Sequence, residues 1–143
     1  MHRTPTPTLA LPAAILLLAA VLVFAAPARA AEPGDLRVQR TVILANLDSP
    51  WDLAFAPDGT LFFTEKCRGL SVRTPDGAVR HLFGASGAAV AADDLFCQGQ
   101  SGMLGLALDP AFADNRMLYL FMASKRGGQP ANRVVRLQVD AAS

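Results

Sequence analysis

Few side chains able to do chemistry follow residue 30 of this 143-residue sequence. His81 is the only histidine there, and no carboxylate or serine is patterned around it. Ser101 lacks the strand–turn–helix setting of a nucleophile elbow. Gly99, Gly102 and Gly105 are too loosely arranged for a phosphate loop, and no strand-to-helix transition surrounds them. Asp93 and Asp94 could offer carboxylates to a cation, but neighbours in extended chain point apart, so they read as solvated loop charges. No catalytic residue and no metal site is expected within these residues, and no cofactor ligand can be assigned among them.

Two groups remain. Gln100 sits in the polar stretch from Asp93 to Gly102. An amide can both donate to and accept from a sugar hydroxyl; the residue's own chemistry also suits tying down loop backbone, and favours that role. Cys67 and Cys97 are the only cysteines. In an exported chain an even count favours one disulfide over two buried thiols.

The elements that must position these groups are short strands. Thr41-Val42-Ile43-Leu44 is β-rich. Trp51 to Phe55 alternates, and Pro57-Asp58-Gly59 turns it into Thr60 to Thr64. Arg68-Gly69 leads to Leu70–Arg73, and Pro75-Asp76-Gly77 leads to Ala78–Phe83. Pro, Asp and Gly preset the backbone angles such turns require, so the unit reads as an antiparallel four-stranded meander. After a Gly/Ala-rich loop from Gly84 to Ala92 the pattern restarts: Leu104–Leu108, a turn at Asp109-Pro110, Met117–Met122, and then Arg133–Val139. Leu53-Ala54-Phe55-Ala56-Pro57 recurs as Leu106-Ala107-Leu108-Asp109-Pro110.

Four strands per unit and a repeat of about 50 residues indicate β-propeller blades, with a single β-sandwich as the alternative. The fold class is all-β. One blade and most of a second are present, and two blades alone would leave sheet faces and edges open. The expectation is the N-terminal fragment of a longer protein. In such a meander Cys67, just past the second strand, and Cys97, just before the next blade's first, fall on one face. A disulfide there would close a loop worth roughly 3–4 kcal/mol in the chain-entropy model. Because a blade's first strand lines the central channel, Gln100 should lie near the channel mouth.

Residues 1–30 read as a removable signal peptide. Arg3 gives a short positive start, an apolar run extends from Leu9 to Phe24, and Ala28-Arg29-Ala30 puts small residues where signal peptidase needs them. With Ala25 and Ala26 the run reaches the lower limit for a spanning helix. Pro12 interrupts it, however, and no Lys/Arg cluster follows, so no membrane attachment is expected after cleavage. The remainder, 31–143, suits one small domain or part of a larger one. It carries eleven Lys/Arg against twelve Asp/Glu; without a basic stripe, a nucleic-acid partner is not expected.

Two blocks resemble the glucose/sorbosone dehydrogenase family, the soluble aldose dehydrogenases that use pyrroloquinoline quinone (PQQ). The first is Thr41–Leu47 through Pro50-Trp51-Asp52-Leu53-Ala54-Phe55-Ala56-Pro57-Asp58-Gly59 and Thr64-Glu65-Lys66. The second, and the more specific, is Gln100-Ser101-Gly102-Met103-Leu104-Gly105-Leu106-Ala107-Leu108-Asp109-Pro110-Ala111-Phe112, with Asn115 and Leu118-Tyr119-Leu120. The resemblance implies a six-bladed propeller, periplasmic or secreted, with PQQ and calcium over the channel mouth. It also implies oxidation of an aldose at its anomeric carbon to a lactone, with electrons passed to an acceptor such as a cytochrome. Of the family's site residues it places one, a substrate-contacting glutamine, on Gln100. The catalytic histidine and the cofactor and calcium ligands fall beyond residue 143. The cysteine pair and Asp109, where many relatives carry histidine, depart from the family pattern. A second reading is a non-catalytic secreted propeller that binds a ligand or partner.

Overall fold

A computed structural model describes residues 37–140. The leader expected at 1–30 lies outside the described residues. The chain divides into one unit of residues 1–41 and another of 42–143. Of the first, only 37–41 are described; they are exposed and carry no strand. The elements below belong to the second.

Strands β1 (Pro50–Phe55), β2 (Leu61–Glu65), β3 (Gly69–Arg73) and β4 (Val79–Gly84) form an antiparallel meander in chain order. A two-residue strand, β5 (Val90–Ala91), adds to β4 in parallel. The second sheet takes β6 (Met103–Leu108), β7 (Met117–Arg126) and β8 (Gln129–Gln138) in order, with a single-turn helix α1 (Phe112–Asn115) between β6 and β7. The two Pro-Asp-Gly hairpins are built alike. Gly59 N–H donates to Ala56 O and Ala56 N–H to Thr60 O, while Gly77 N–H donates to Thr74 O and Thr74 N–H to Ala78 O, all at 2.8–2.9 Å.

The internal repeat extends to the irregularities. Register slips between Pro50 and Leu53 in β1, and between the equivalent Met103 and Leu106 in β6. Each first strand therefore kinks at the same point, as a bulge does.

Four features differ from the pattern read from sequence. Thr41–Leu44 forms no strand, and Val42 and Ile43 are exposed; β-propensity expresses itself only where a sheet edge and a packing surface are available. The loop from Gly84 to Ala92 contains β5. Asp109-Pro110 opens α1 as well as a turn. The last hairpin is longer than expected, taking in Pro130, which pairs with Lys125. Proline is tolerated there because β8 pairs on one side only among the described strands.

The core lies between the sheets. Phe62, Leu70 and Val72 join Met103, Phe112, Leu118, Leu120 and Met122 in one buried cluster. Phe112 of α1 meets Phe62 of β2 edge-on, with centroids 5.4 Å apart. The outward apolar side chains contrast with this. Trp51, Leu53 and Phe55 alternate along β1 and stay 51–59% exposed, and the cross-strand pair Phe121 and Val134 is 40% and 70% exposed.

Candidate functional site

Polar groups on β1 and β2 stitch the first sheet to β6. Thr64 Oγ1 donates to Leu104 O at 2.7 Å and accepts Asp52 N–H at 3.2 Å. Asp52 Oδ2 accepts Leu106 N–H at 2.8 Å, and Asp52 Oδ1 accepts Leu53 N–H. β6 is the edge of its sheet, so its outward N–H and C=O groups would otherwise go unpaired by protein. Asp52 and Thr64 satisfy them at the level of the shared kink.

Above these ties the β2–β3 corner meets the segment leading into β6. Cys67 and Cys97 are disulfide-bonded, with Cα atoms 5.4 Å apart. Met103 N–H donates to Lys66 O at 2.8 Å, and Lys66 Nζ donates to Gly99 O. Gly102 is where backbone meets backbone. Its φ is +148°, and a Cβ there would stand 2.4 Å from Lys66 O, so only glycine fits.

Residues 97–102 form a compact projecting loop. Its two ends converge on one residue of β7: Phe96 N–H donates to Ala123 O at 3.0 Å, and Ala123 N–H donates to Gly102 O at 2.9 Å. Within it Ser101 N–H closes a turn on Gln98 O. Gln100 occupies this turn, exposed. Its side chain makes no hydrogen bond among the described residues, so it does not tie down the loop. That work is done by Lys66, the disulfide and Ala123, and the Gln100 amide is left facing solvent.

The other residues considered from sequence are engaged elsewhere. His81 Nε2 lies 2.7 Å from Arg68 O; a carbonyl only accepts, so Nε2 carries the proton. Asp94 pairs with Arg126 at 3.7 Å. Asp93 and Asp94 line, with Arg126 and Arg133, a cleft of about 820 Å³ between the outer strands of the two sheets, and Gln100 is not part of its lining. Among the described residues no three His, Cys, Asp or Glu side chains gather as a metal site would need.

Asp109 builds the opposite end of the second sheet. Its Oδ1 accepts Ala111 N–H and Asn115 Nδ2 at 2.9 Å, and its Oδ2 accepts the Tyr119 hydroxyl at 2.9 Å. These bonds, led by that from Ala111, hold the Asp109 carboxyl below the usual aspartate value and push Tyr119 above the usual tyrosine value. Asp109 thus shapes the α1 corner, away from the Gln100 loop.

The ties that Asp52, Thr64 and Lys66 make between the sheets were not legible in the sequence. All three stand in the first family-like block, but their partners lie 33–54 residues away, where no local spacing signals them.

Comparison with known proteins follows the same residues. A family model described as Glucose / Sorbosone dehydrogenase matches 47–143. Quinoprotein glucose dehydrogenase B of Acinetobacter calcoaceticus is 33% identical over 96 residues, covering 66% of this chain and 19% of that protein. Aldose sugar dehydrogenase YliI of Escherichia coli strain K12 is 31% identical over 93 residues, 63% of this chain and 22% of its own length. The PQQ-bound aldose sugar dehydrogenase of Streptomyces coelicolor superposes with a TM-score of 0.59 at 28% identity, over 75% of this chain and 29% of that one. The chain spans about a fifth of the length of these curated relatives.

Proposed function

Because the chain belongs to the glucose/sorbosone dehydrogenase family, we propose that its protein is a periplasmic or secreted PQQ-dependent oxidoreductase. It converts an aldose at the anomeric carbon to the lactone. The observation that carries this reading is the family match across 47–143, which takes in both sheets and the Gln100 loop. The two sheets are then the first blade and most of a second in a six-bladed propeller, with 31–143 its N-terminal part.

PQQ, when bound, supplies the hydride acceptor. Among the described residues no trio of metal-ligating side chains forms, and the ligands of PQQ and calcium are placed by this reading further along the protein. No chemical step is assigned to this segment. Its part is to bind. The unbonded Gln100 amide presents a donor and an acceptor to a sugar hydroxyl, orienting the substrate at the propeller's mouth. The partner this reading implies is an electron acceptor such as a cytochrome; no nucleic-acid partner is invoked.

Export is supported by the leader read at residues 1–30 and by the disulfide, which persists in oxidising compartments. No helix among the described residues is long and apolar enough to cross a membrane. The test is to isolate the native protein, add PQQ and calcium, and measure dye reduction and lactone formation with a panel of aldoses. Turnover of aldoses, lost without PQQ, supports the proposal. No turnover with any aldose and acceptor dye refutes it. Gln100→Ala should raise KM about tenfold, as loss of a hydrogen bond made to bound substrate does.

A further inference from the structure

We infer that Lys66 and the Cys67–Cys97 disulfide are positioning residues for Gln100, and that they set the affinity of the site for sugar; this rests on the aldose oxidation proposed above. Three observations carry the inference. The Gln100 side chain has no bond of its own among the described residues, so its direction is inherited from backbone. That backbone is fastened to the other sheet on either side of Gln100: by Cys97 to Cys67 and by Gly99 O to Lys66 Nζ before it, and by Met103 N–H to Lys66 O after it. The remaining fastening, both loop ends meeting at Ala123, belongs to the loop's own sheet and cannot fix it relative to the first.

The corner of the first sheet therefore decides where the amide points. Lys66 contributes twice, through its carbonyl and through its ammonium, and substitution of the side chain removes only the second. A loop freed from Lys66 or from the disulfide would sample more orientations. The sugar would then lose an acceptor held in one place, and the ordering cost would move into binding. Such a loss appears in KM, with kcat little changed.

The experiment uses the native protein loaded with PQQ and calcium, and the variants Lys66→Met, Lys66→Arg, Cys67→Ser with Cys97→Ser, and Gln100→Ala. Lys66→Met and the paired cysteine change should each raise KM at least about fivefold with kcat within about twofold, and Lys66→Arg should restore most of the loss. Combined with Gln100→Ala, neither should raise KM further, because their effect passes through that amide. Amide exchange in residues 97–102 should quicken roughly tenfold in both variants while β7 stays protected.

Unchanged exchange in the variants overturns the clamp, whatever the activity. Faster exchange with KM unchanged overturns the positioning role. KM increases that persist in full on the Gln100→Ala background also overturn it, since the residues would then act by another route. Failure of the proposed function looks different: the unmodified, loaded protein turns over no aldose, and the inference falls with it.

Discussion

At Asp109 one carboxylate accepts bonds from Ala111, Asn115 and Tyr119, and two turn aspartates, Asp58 and Asp76, accept from Thr60 and from Thr74 and Ala78. All three carboxyls are held below the usual aspartate value, chiefly by those hydrogen bonds. A depressed folded pKa contributes stability above the unfolded value, near 3.8, and that stability is lost as pH falls through the lower folded value. The melting temperature should thus fall as pH is lowered below about 4. The difference between the protein and its Asp109→Asn variant should vanish once Asp109 is protonated. Tyr119 offers a direct check, being the sole tyrosine. Its phenolate absorbance should appear with a midpoint above 10, moving back toward 10 in Asp109→Asn. At Gly102 the cause is steric: Gly102→Ala forces a Cβ against Lys66 O and should destabilise by about 2 kcal/mol, measured by denaturant unfolding.

Among elements, the decisive joint is between β1–β2 and β6. Thr64 and Asp52 supply partners for the edge of β6, and Phe62 and Phe112 seal the apolar side. Phe112→Ala should cost about 3–4 kcal/mol, since the ring is buried and the cavity would open between sheets. Asp52→Ala and Thr64→Val should each cost about 1–2 kcal/mol. Because both side chains hold the same stretch of β6, at Leu104 and Leu106, the two changes should be non-additive in a double-mutant cycle. This joint was only half legible in sequence. The hairpins could be read because Ala56–Thr60 and Thr74–Ala78 contain their own turn chemistry, and the recurrence of Leu53–Pro57 at Leu106–Pro110 revealed the repeat. β5 was not readable: two residues pairing in parallel depend on where the preceding loop lands. The Asp52–Leu106 bond was hidden for the same reason, because only stacking of the sheets brings the two together. Gln100 was singled out by its place just before a blade's first strand as well as by the family resemblance; its local chemistry favoured tying down the loop, which Lys66 and the disulfide do instead.

For the whole molecule, the exposed apolar side chains carry a prediction of their own. Trp51, Leu53 and Phe55 on one sheet, and Phe121 and Val134 on the other, are surfaces of the kind that propeller blades bury against neighbours. Residues 31–143 produced alone should therefore self-associate at micromolar concentration, seen as mass growth in sedimentation. A stable monomer would mean that these faces need no neighbour. The same segment with PQQ and calcium should reduce no dye in the presence of aldoses. The loop bearing Gln100 leaves and rejoins the sheet at a single residue, Ala123, so the gap it must bridge is set by the frame and not by its own length. Doubling a loop's length costs only about 0.6 kcal/mol in closure entropy. Residues can therefore be added between Gly99 and Ser101 at little cost in stability, while Cys97 and Gly102 must stay for the loop to keep its hold on the first sheet.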